Sequence, residues 1–220
     1  VDYGIKRAKL DLLEDLFGQR KGKDEAAFSK YLRENKYWLQ DYALFKVIKE
    51  KTGESSWEQW PVELKERRPD ALKKFQKENR DRLKFYEWLQ WQLAEQFLKV
   101  KAHAASKGVL LMGDLPFLVS RDSADVWAHQ DYFKLDLASG APPDLYFWKG
   151  QRWGMPPYAW ENIERNGYDY LVARIRTAEN FYDFFRIDHF VGLFRLWTIP
   201  LAEPPENGGL NRTFDPKEET

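Results

Sequence analysis

NFYDFFRIDHFVGLFRLWTIP, residues Asn180 to Pro200, is an aromatic and aliphatic run that nonetheless holds Arg186, Asp188 and His189. A helix-like segment with Leu171, Val172 and Ile175 on one face precedes it. A run of this kind predicts a strand over Phe181 to Ile187 that is buried on both faces. Side chains alternate along a strand, so Arg186 and Asp188 are expected on one side and His189 on the other. A guanidinium beside a carboxylate favours the ionised form, which is the form a carboxylate nucleophile needs. The same residues also fit a buried ion pair that only satisfies itself, and on their own they leave both readings open.

Working back along the chain, Gly108 is followed by the apolar run Val109 to Met112 and then by Gly113, Asp114, Leu115 and Pro116. This predicts a second buried strand with Asp114 at its carboxyl end. Strand, helix, strand is the parallel crossover unit, and in barrels and open sheets built from it the chemistry sits at the carboxyl ends of strands. Asp114 and Asp188 both fall there. Between the two units, Ser120 to Glu161 is a stretch of roughly forty residues with little periodicity, longer than an ordinary connection. Its aromatic residues, among them Trp127, Tyr132, Tyr146, Trp148, Trp153 and Tyr158, argue against disorder. Pro142, Pro143 and Asp144 lie inside it, and Gly150 and Gly154 bracket Gln151, Arg152 and Trp153. These glycines predict a tight exposed turn that presents Trp153, either as a sugar platform or as an apolar plug beneath the loop.

The first eighty residues read as helices. Ile5, Ala8, Leu12 and Leu16 recur at helical spacing up to Gly18; Ala27, Phe28, Tyr31 and Leu32 make a second helix, and Trp38 to Glu50 a third. Pro69 and Asp70 open another. The longest helix is expected over Arg82 to Ser106, with Phe85, Leu89, Leu93, Phe97 and Val100 on one face. Residues 1–107 are therefore expected to form a helical subdomain, and 108–220 the α/β part with the long aromatic loop at about 120–161.

Composition narrows the function classes. With 43% apolar residues the chain can build a core, and thirty-five basic against thirty-five acidic residues leave no field to gather nucleic acid. No cysteine is present, which removes disulfides and thiolate chemistry and suits a reducing compartment. No signal peptide and no membrane-length apolar run are found, so a soluble, cytoplasmic protein with no membrane partner is expected. The aromatic share, 16% with ten Trp, suits sugars, whose apolar faces are rimmed by hydroxyls. The three histidines, His103, His129 and His189, follow no metal-binding spacing. No dinucleotide or phosphate loop and no serine elbow appear, so neither metal nor cofactor is expected. Ser123, in Arg121-Asp122-Ser123-Ala124-Asp125, reads as a helix cap. What remains is carboxylate chemistry.

Several motifs together resemble the 4-alpha-glucanotransferases, the amylomaltase or disproportionating enzymes of glycoside hydrolase family 77. They are Arg186-Ile187-Asp188-His189-Phe190, Gly113-Asp114-Leu115-Pro116 with Asp122 to Trp127, and Pro142-Pro143-Asp144 with Gly150 to Gly154. Trp38 to Phe45 and Trp57 to Pro61 resemble the helical insertion of that family. The resemblance implies part of a (β/α)8 TIM barrel of the alpha-amylase clan, with an N-terminal helical insertion subdomain. It makes Asp188 the fourth-strand nucleophile and Arg186 the residue that orients it and keeps it ionised. It also makes Asp114, at the third-strand end, together with Asp144, Gln151, Trp153 and His189, residues of the substrate groove. The implied reaction is retaining transfer of alpha-1,4-glucan segments through a covalent glycosyl-aspartate, with an alpha-1,4-glucan or maltooligosaccharide as the partner. A hydrolase of the same clan and a non-catalytic glucan-binding module are the alternatives. Val191, Met155 and the bulky Leu145 to Trp148 depart from the commoner family pattern. A retaining mechanism needs a second carboxyl about 5 to 5.5 Å from the nucleophile, which the family takes from the fifth strand. The chain is accordingly expected to be a central fragment, inactive by itself, of an enzyme built on a barrel of about 250 residues or more.

Overall fold

The computed structural model describes residues 3–20, 22 and 24–203, and these fall into two compact units, Val1–Gln96 and Phe97–Thr220. The first is helical: α1 (Tyr3–Gly18), α2 (Glu25–Glu34), α3 (Lys36–Lys51), a 3-10 turn at Trp57–Gln59, α4 (Val62–Lys65), α5 (Pro69–Glu78) and the start of α6 (Arg80–Ser106). Pro69 opens α5 at its first turn, where a missing N–H costs nothing.

The core of this unit is aromatic. Phe28, Ala43, Val47, Phe85, Tyr86, Trp88 and Trp91 are buried together, and Leu13, Phe17, Tyr31 and Leu89 pack against them. Phe17 meets Phe85 and Trp88 at ring distances of 5.7 and 5.5 Å. Two helical faces differ from the sequence expectation. On α6, Phe85, Tyr86, Trp88, Trp91 and Ala94 are buried, whereas Leu93 and Val100 are exposed. Steps of four residues drift by about 40° per step around a helix, and the indole rings bring more apolar area to the buried side than leucine does. On α1, Ile5, Leu12 and Leu16 are exposed while Leu13 and Phe17 hold the helix to the core. A half-buried charge network, Arg82 to Glu50 at 2.8 and 2.7 Å and to Glu14 at 2.5 Å with the Tyr86 hydroxyl on Glu50, ties α1, α3 and α6 together.

The second unit contains two small sheets. In the first, β1 (Met112–Leu115) pairs in parallel with β4 (Phe184–Ile187), with Asp114 opposite Arg186. The element before β4 is α9 (Asp169–Phe181), which gives the expected strand, helix, strand order. Both strands are shorter than the apolar runs that announced them. Val109 and Leu110 are exposed and precede β1, and Phe181 ends α9. The strands are also not buried on both faces: Met112 and Phe184 are largely exposed, because β1 and β4 have only each other as sheet neighbours among the described residues.

The turn from α9 into β4 is closely packed. Phe97 lies edge-on to Phe181 and Tyr182, and Lys101 Nζ donates to the carbonyls of Glu179 and Tyr182 at 3.2 and 2.9 Å. A cation there complements the helix C-terminus. Asp183 accepts from the Leu111 N–H at 2.8 Å and so sets the register of β1 against β4. A Cβ on Gly113 would strike the Tyr182 ring.

The long stretch between β1 and α9 is ordered by an antiparallel sheet in which β2 (Leu137–Ala141) lies between β3 (Gln151–Arg152) and β5 (Trp197–Pro200), a strand that follows β4. Two short helices, α7 (Ala124–Ala128) and α8 (Trp160–Arg165), and a 3-10 turn at Gln130–Tyr132 complete it. Ser123 caps α7, its Oγ accepting from the Val126 N–H. Trp127, Tyr158, Ile163 and Ile199 are fully buried beneath this sheet and its connections, each contributing roughly 1.5–3 kcal/mol of burial. Gly140 is required where β2 meets β3, since a Cβ there would overlap the Gln151 carbonyl oxygen.

Candidate active site

At the carboxyl ends of β1 and β4 one guanidinium joins two carboxylates. Arg186 donates through Nε and Nη2 to the two oxygens of Asp114, at 3.1 and 2.6 Å, and Nη2 lies 3.6 Å from Asp188 Oδ1. The pairing of Asp114 with Arg186 across the parallel sheet places them side by side, and the fork geometry of the guanidinium matches a carboxylate in a bidentate contact. The Arg186 hydrogen bond holds Asp114 below the usual carboxylate range, and Asp114 raises Arg186 in return.

The three side chains are open: Arg186, Asp114 and Asp188 are 60, 55 and 65% exposed. Among the described residues the Asp188 carboxylate accepts no hydrogen bond; its Oδ1 faces the Arg186 guanidinium across 3.6 Å, while its backbone N–H is fixed to the Leu115 carbonyl at 3.3 Å. The strand alternation that predicted the sides of these residues ends at Ile187. His189 sits beyond it in a left-handed conformation (φ 50°), so its direction follows from that turn and not from the pleat.

His189 is held between two rings, Trp153 edge-on at 4.9 Å and 87° and Phe117 at 6.3 Å. Gly192 lies against both His189 and Phe117, where a Cβ would not fit, and its N–H returns to the His189 carbonyl at 2.8 Å. Trp153 Nε1 donates to Gln151 Oε1 at 3.2 Å. The backbone of this segment is anchored on β2: the Trp153 N–H donates to the Ser139 carbonyl at 2.9 Å, and Ser139 N and Oγ both donate to the Met155 carbonyl at 2.8 and 2.6 Å. Gly150 and Gly154 take positive φ on either side. The structure therefore brings Gln151, Trp153 and His189 into one contiguous group next to Asp188 in sequence.

Asp144 has a local role. Its Oδ1 accepts from the N–H groups of Tyr146 and Phe147 at 2.8 and 2.7 Å, closing the turn that carries Leu145, Tyr146, Phe147 and Trp148 into solvent. Among the described residues no bond joins Asp144 to the Arg186 cluster. Val191 is exposed in the 3-10 turn Phe190–Leu193. Phe117, Tyr158, Arg174 and Gly192 also shape the site and carried no sequence signal beyond being apolar, aromatic, helical-surface and small. No group of three or more His, Asp or Glu side chains is placed to hold a metal ion among the described residues, and no helix there is long and apolar enough to cross a membrane.

A family model described as 4-alpha-glucanotransferase matches residues 1–218. The 4-alpha-glucanotransferase of Thermus thermophilus is 36% identical over 215 residues, covering 93% of this chain and 43% of that protein. That of Clostridium butyricum is 32% identical over 217 residues, covering 95% of this chain and 45% of its own length. The amylomaltase of Streptococcus agalactiae, solved in complex with acarbose, superposes with a TM-score of 0.86 at 30% identity, covering 94% of this chain and 44% of that one. The amylomaltase of Corynebacterium glutamicum gives 0.75 at 27% identity, covering 91% and 27%. This chain spans less than half the length of each of these relatives.

Proposed function

Because this chain belongs to the 4-alpha-glucanotransferase family, with part of the α/β barrel fold of its amylomaltase neighbours, we propose that it supplies the nucleophile side of a retaining glucanotransferase of the relatives' length. The observation that carries the proposal is the open Asp188 carboxylate 3.6 Å from a guanidinium that Asp114 holds in place. An Asp188 oxygen attacks the anomeric carbon of an alpha-1,4-linked glucosyl residue, and the bond from that carbon to the departing 4-oxygen breaks. The departing oxygen takes its proton from a second carboxyl, which the remaining length of the enzyme provides. The 4-hydroxyl of an acceptor glucan then attacks the same carbon, returns a proton to that carboxyl and releases Asp188. Two inversions give net retention.

Arg186 orients the nucleophile in this scheme. Trp153 offers a ring face to a pyranose, Gln151 and His189 supply hydrogen bonds at its rim, and Asp144 shapes the loop at the groove edge. The exposed aromatics at Tyr146 to Trp148 cover the bound chain and keep water from the glycosyl-enzyme, favouring transfer over hydrolysis. The cytoplasmic location expected from the cysteine-free sequence belongs to the same reading.

Incubating an enzyme of the relatives' length with maltotriose separates the readings. Glucose and longer maltooligosaccharides should appear together, with total reducing ends constant. A steady rise in reducing ends makes it a hydrolase, and bound but unchanged maltotriose makes it a binding module.

A further inference from the structure

One half-buried guanidinium near the site has no part in the reaction just described. On α9, Arg174 Nη2 donates to the Pro116 carbonyl at 2.6 Å, and Nη1 donates to the Phe117 carbonyl at 3.2 Å and to Tyr158 Oη at 2.7 Å. Tyr158 Oη donates onward to the same Phe117 carbonyl at 2.7 Å. Tyr158 is 2% exposed, and burial pushes its hydroxyl up to about 12, so it remains a neutral donor. Among the described residues Arg174 pairs with no carboxylate; its donors go to neutral oxygens. A guanidinium spent in this way fixes geometry, since a fork of donors can hold several acceptors at set directions where a single ammonium cannot.

The two carbonyls it holds belong to the residues just beyond β1, two and three positions after Asp114. Phe117 is buried, with its ring edge-on to Tyr158 at 5.4 Å and 6.3 Å from His189. The close fit of Gly192 against Phe117 and His189 leaves no slack between them. His189 in turn follows Asp188 and abuts Trp153 at 4.9 Å. A continuous set of contacts therefore runs from Arg174 through Phe117 to the turn that carries the nucleophile.

We infer that Arg174 is a positioning residue for glucan transfer, locking the end of β1 and, through Phe117, the His189 turn, so that Asp188 is presented at a fixed angle. This rests on the proposed role of Asp188 as the nucleophile. In an enzyme of the relatives' length, Arg174→Met should lower kcat on maltotriose by about tenfold or more while KM changes by less than about threefold, because a displacement on the order of 1 Å costs rate before it costs binding. Arg174→Lys should recover part of the loss, and Tyr158→Phe should show a smaller loss of the same kind. Wild-type kcat in Arg174→Met overturns the inference. If that variant does not fold, wild-type kcat in both Arg174→Lys and Tyr158→Phe overturns it. Asp188→Asn is assayed alongside: an active Asp188→Asn overturns the nucleophile reading, whereas an inactive one beside a fully active Arg174→Met overturns only the inference about Arg174.

Discussion

Asp188→Asn in an enzyme of the relatives' length should lose transfer activity by several orders of magnitude, on the order of 10⁴-fold or more, as removal of a group at the centre of a catalytic unit does. The amide keeps the size and planarity of the carboxylate but cannot form the glycosyl ester through which the reaction runs. Folding should be little affected. The side chain is 65% exposed, and its one close charge among the described residues is Arg186 at 3.6 Å; changes at such sites usually alter stability by less than about 0.5 kcal/mol. Glucose release from maltotriose, measured beside a thermal melt, separates the two effects. A folded Asp188→Asn variant with near wild-type transfer would move the chemistry elsewhere and leave this region as a glucan-binding module.

Arg186→Met should cost the next largest amount, on the order of 10²- to 10³-fold in kcat, the scale seen when a fixed electrostatic partner is removed from a site. Among the described residues Arg186 is the one cation that meets both Asp114 and Asp188, so its loss releases the nucleophile and leaves two carboxylates near one another without their shared cation. The pH dependence carries a sign. Asp114 is lowered from its ordinary value near 3.8 by the Arg186 hydrogen bond. A carboxylate lowered in the folded state adds stability that is complete above its ordinary value and is lost as the pH falls through the lowered one. The hydrogen bond to Asp114 raises Arg186 further above its already high ordinary value, so its side of the pair stays charged throughout the neutral and acid range. The margin in stability of the wild-type enzyme over Arg186→Met should therefore be full near neutral pH and narrow as the pH falls and Asp114 is protonated. Melting temperatures of both measured from pH 3 to 7 test this, and a margin that is absent at pH 7 or unchanged down to pH 3 would remove the Asp114 pair from the account.

The parts of this architecture that were legible in the sequence are those with strong local signals. Pro69, Gly18 and Gly108 marked helix boundaries, and the change of pattern at Gly108 marked the passage from helix to strand. The Arg186 and Asp188 pair and its neighbour Asp114 stood out because charge inside an apolar run is costly without a partner. The β2, β3 and β5 sheet was not legible. Leu137–Ala141 reads LASGA, with neither β-branched nor aromatic residues, and Gln151–Arg152 is two residues long; what makes them strands is the tight approach at Gly140 and the buried Ser139 bonds to Met155. Val109, Leu110 and Phe184 are exposed in this chain, where β1 and β4 have only each other as sheet neighbours among the described residues. Arg174 was silent for a different reason. On a charged helix it looks like any surface residue, and only the fold reveals that its donors end on Pro116, Phe117 and Tyr158. The left-handed turn at His189 likewise has no sequence signature, so strand alternation was carried two residues too far.

Asp188 should become covalently glycosylated during turnover. A 5-fluoro-α-glucosyl fluoride traps that state, because its ring fluorine slows both chemical steps while the fluoride leaving group preserves the first, so the glycosyl-enzyme accumulates. Peptide mapping by mass spectrometry should then find one glycosyl increment, carried by the peptide containing Arg186 to Phe190 and located on Asp188, and no increment in the Asp188→Asn variant. A glycosyl group on any other residue, or full turnover of maltotriose with no adduct formed under these conditions, would contradict the account.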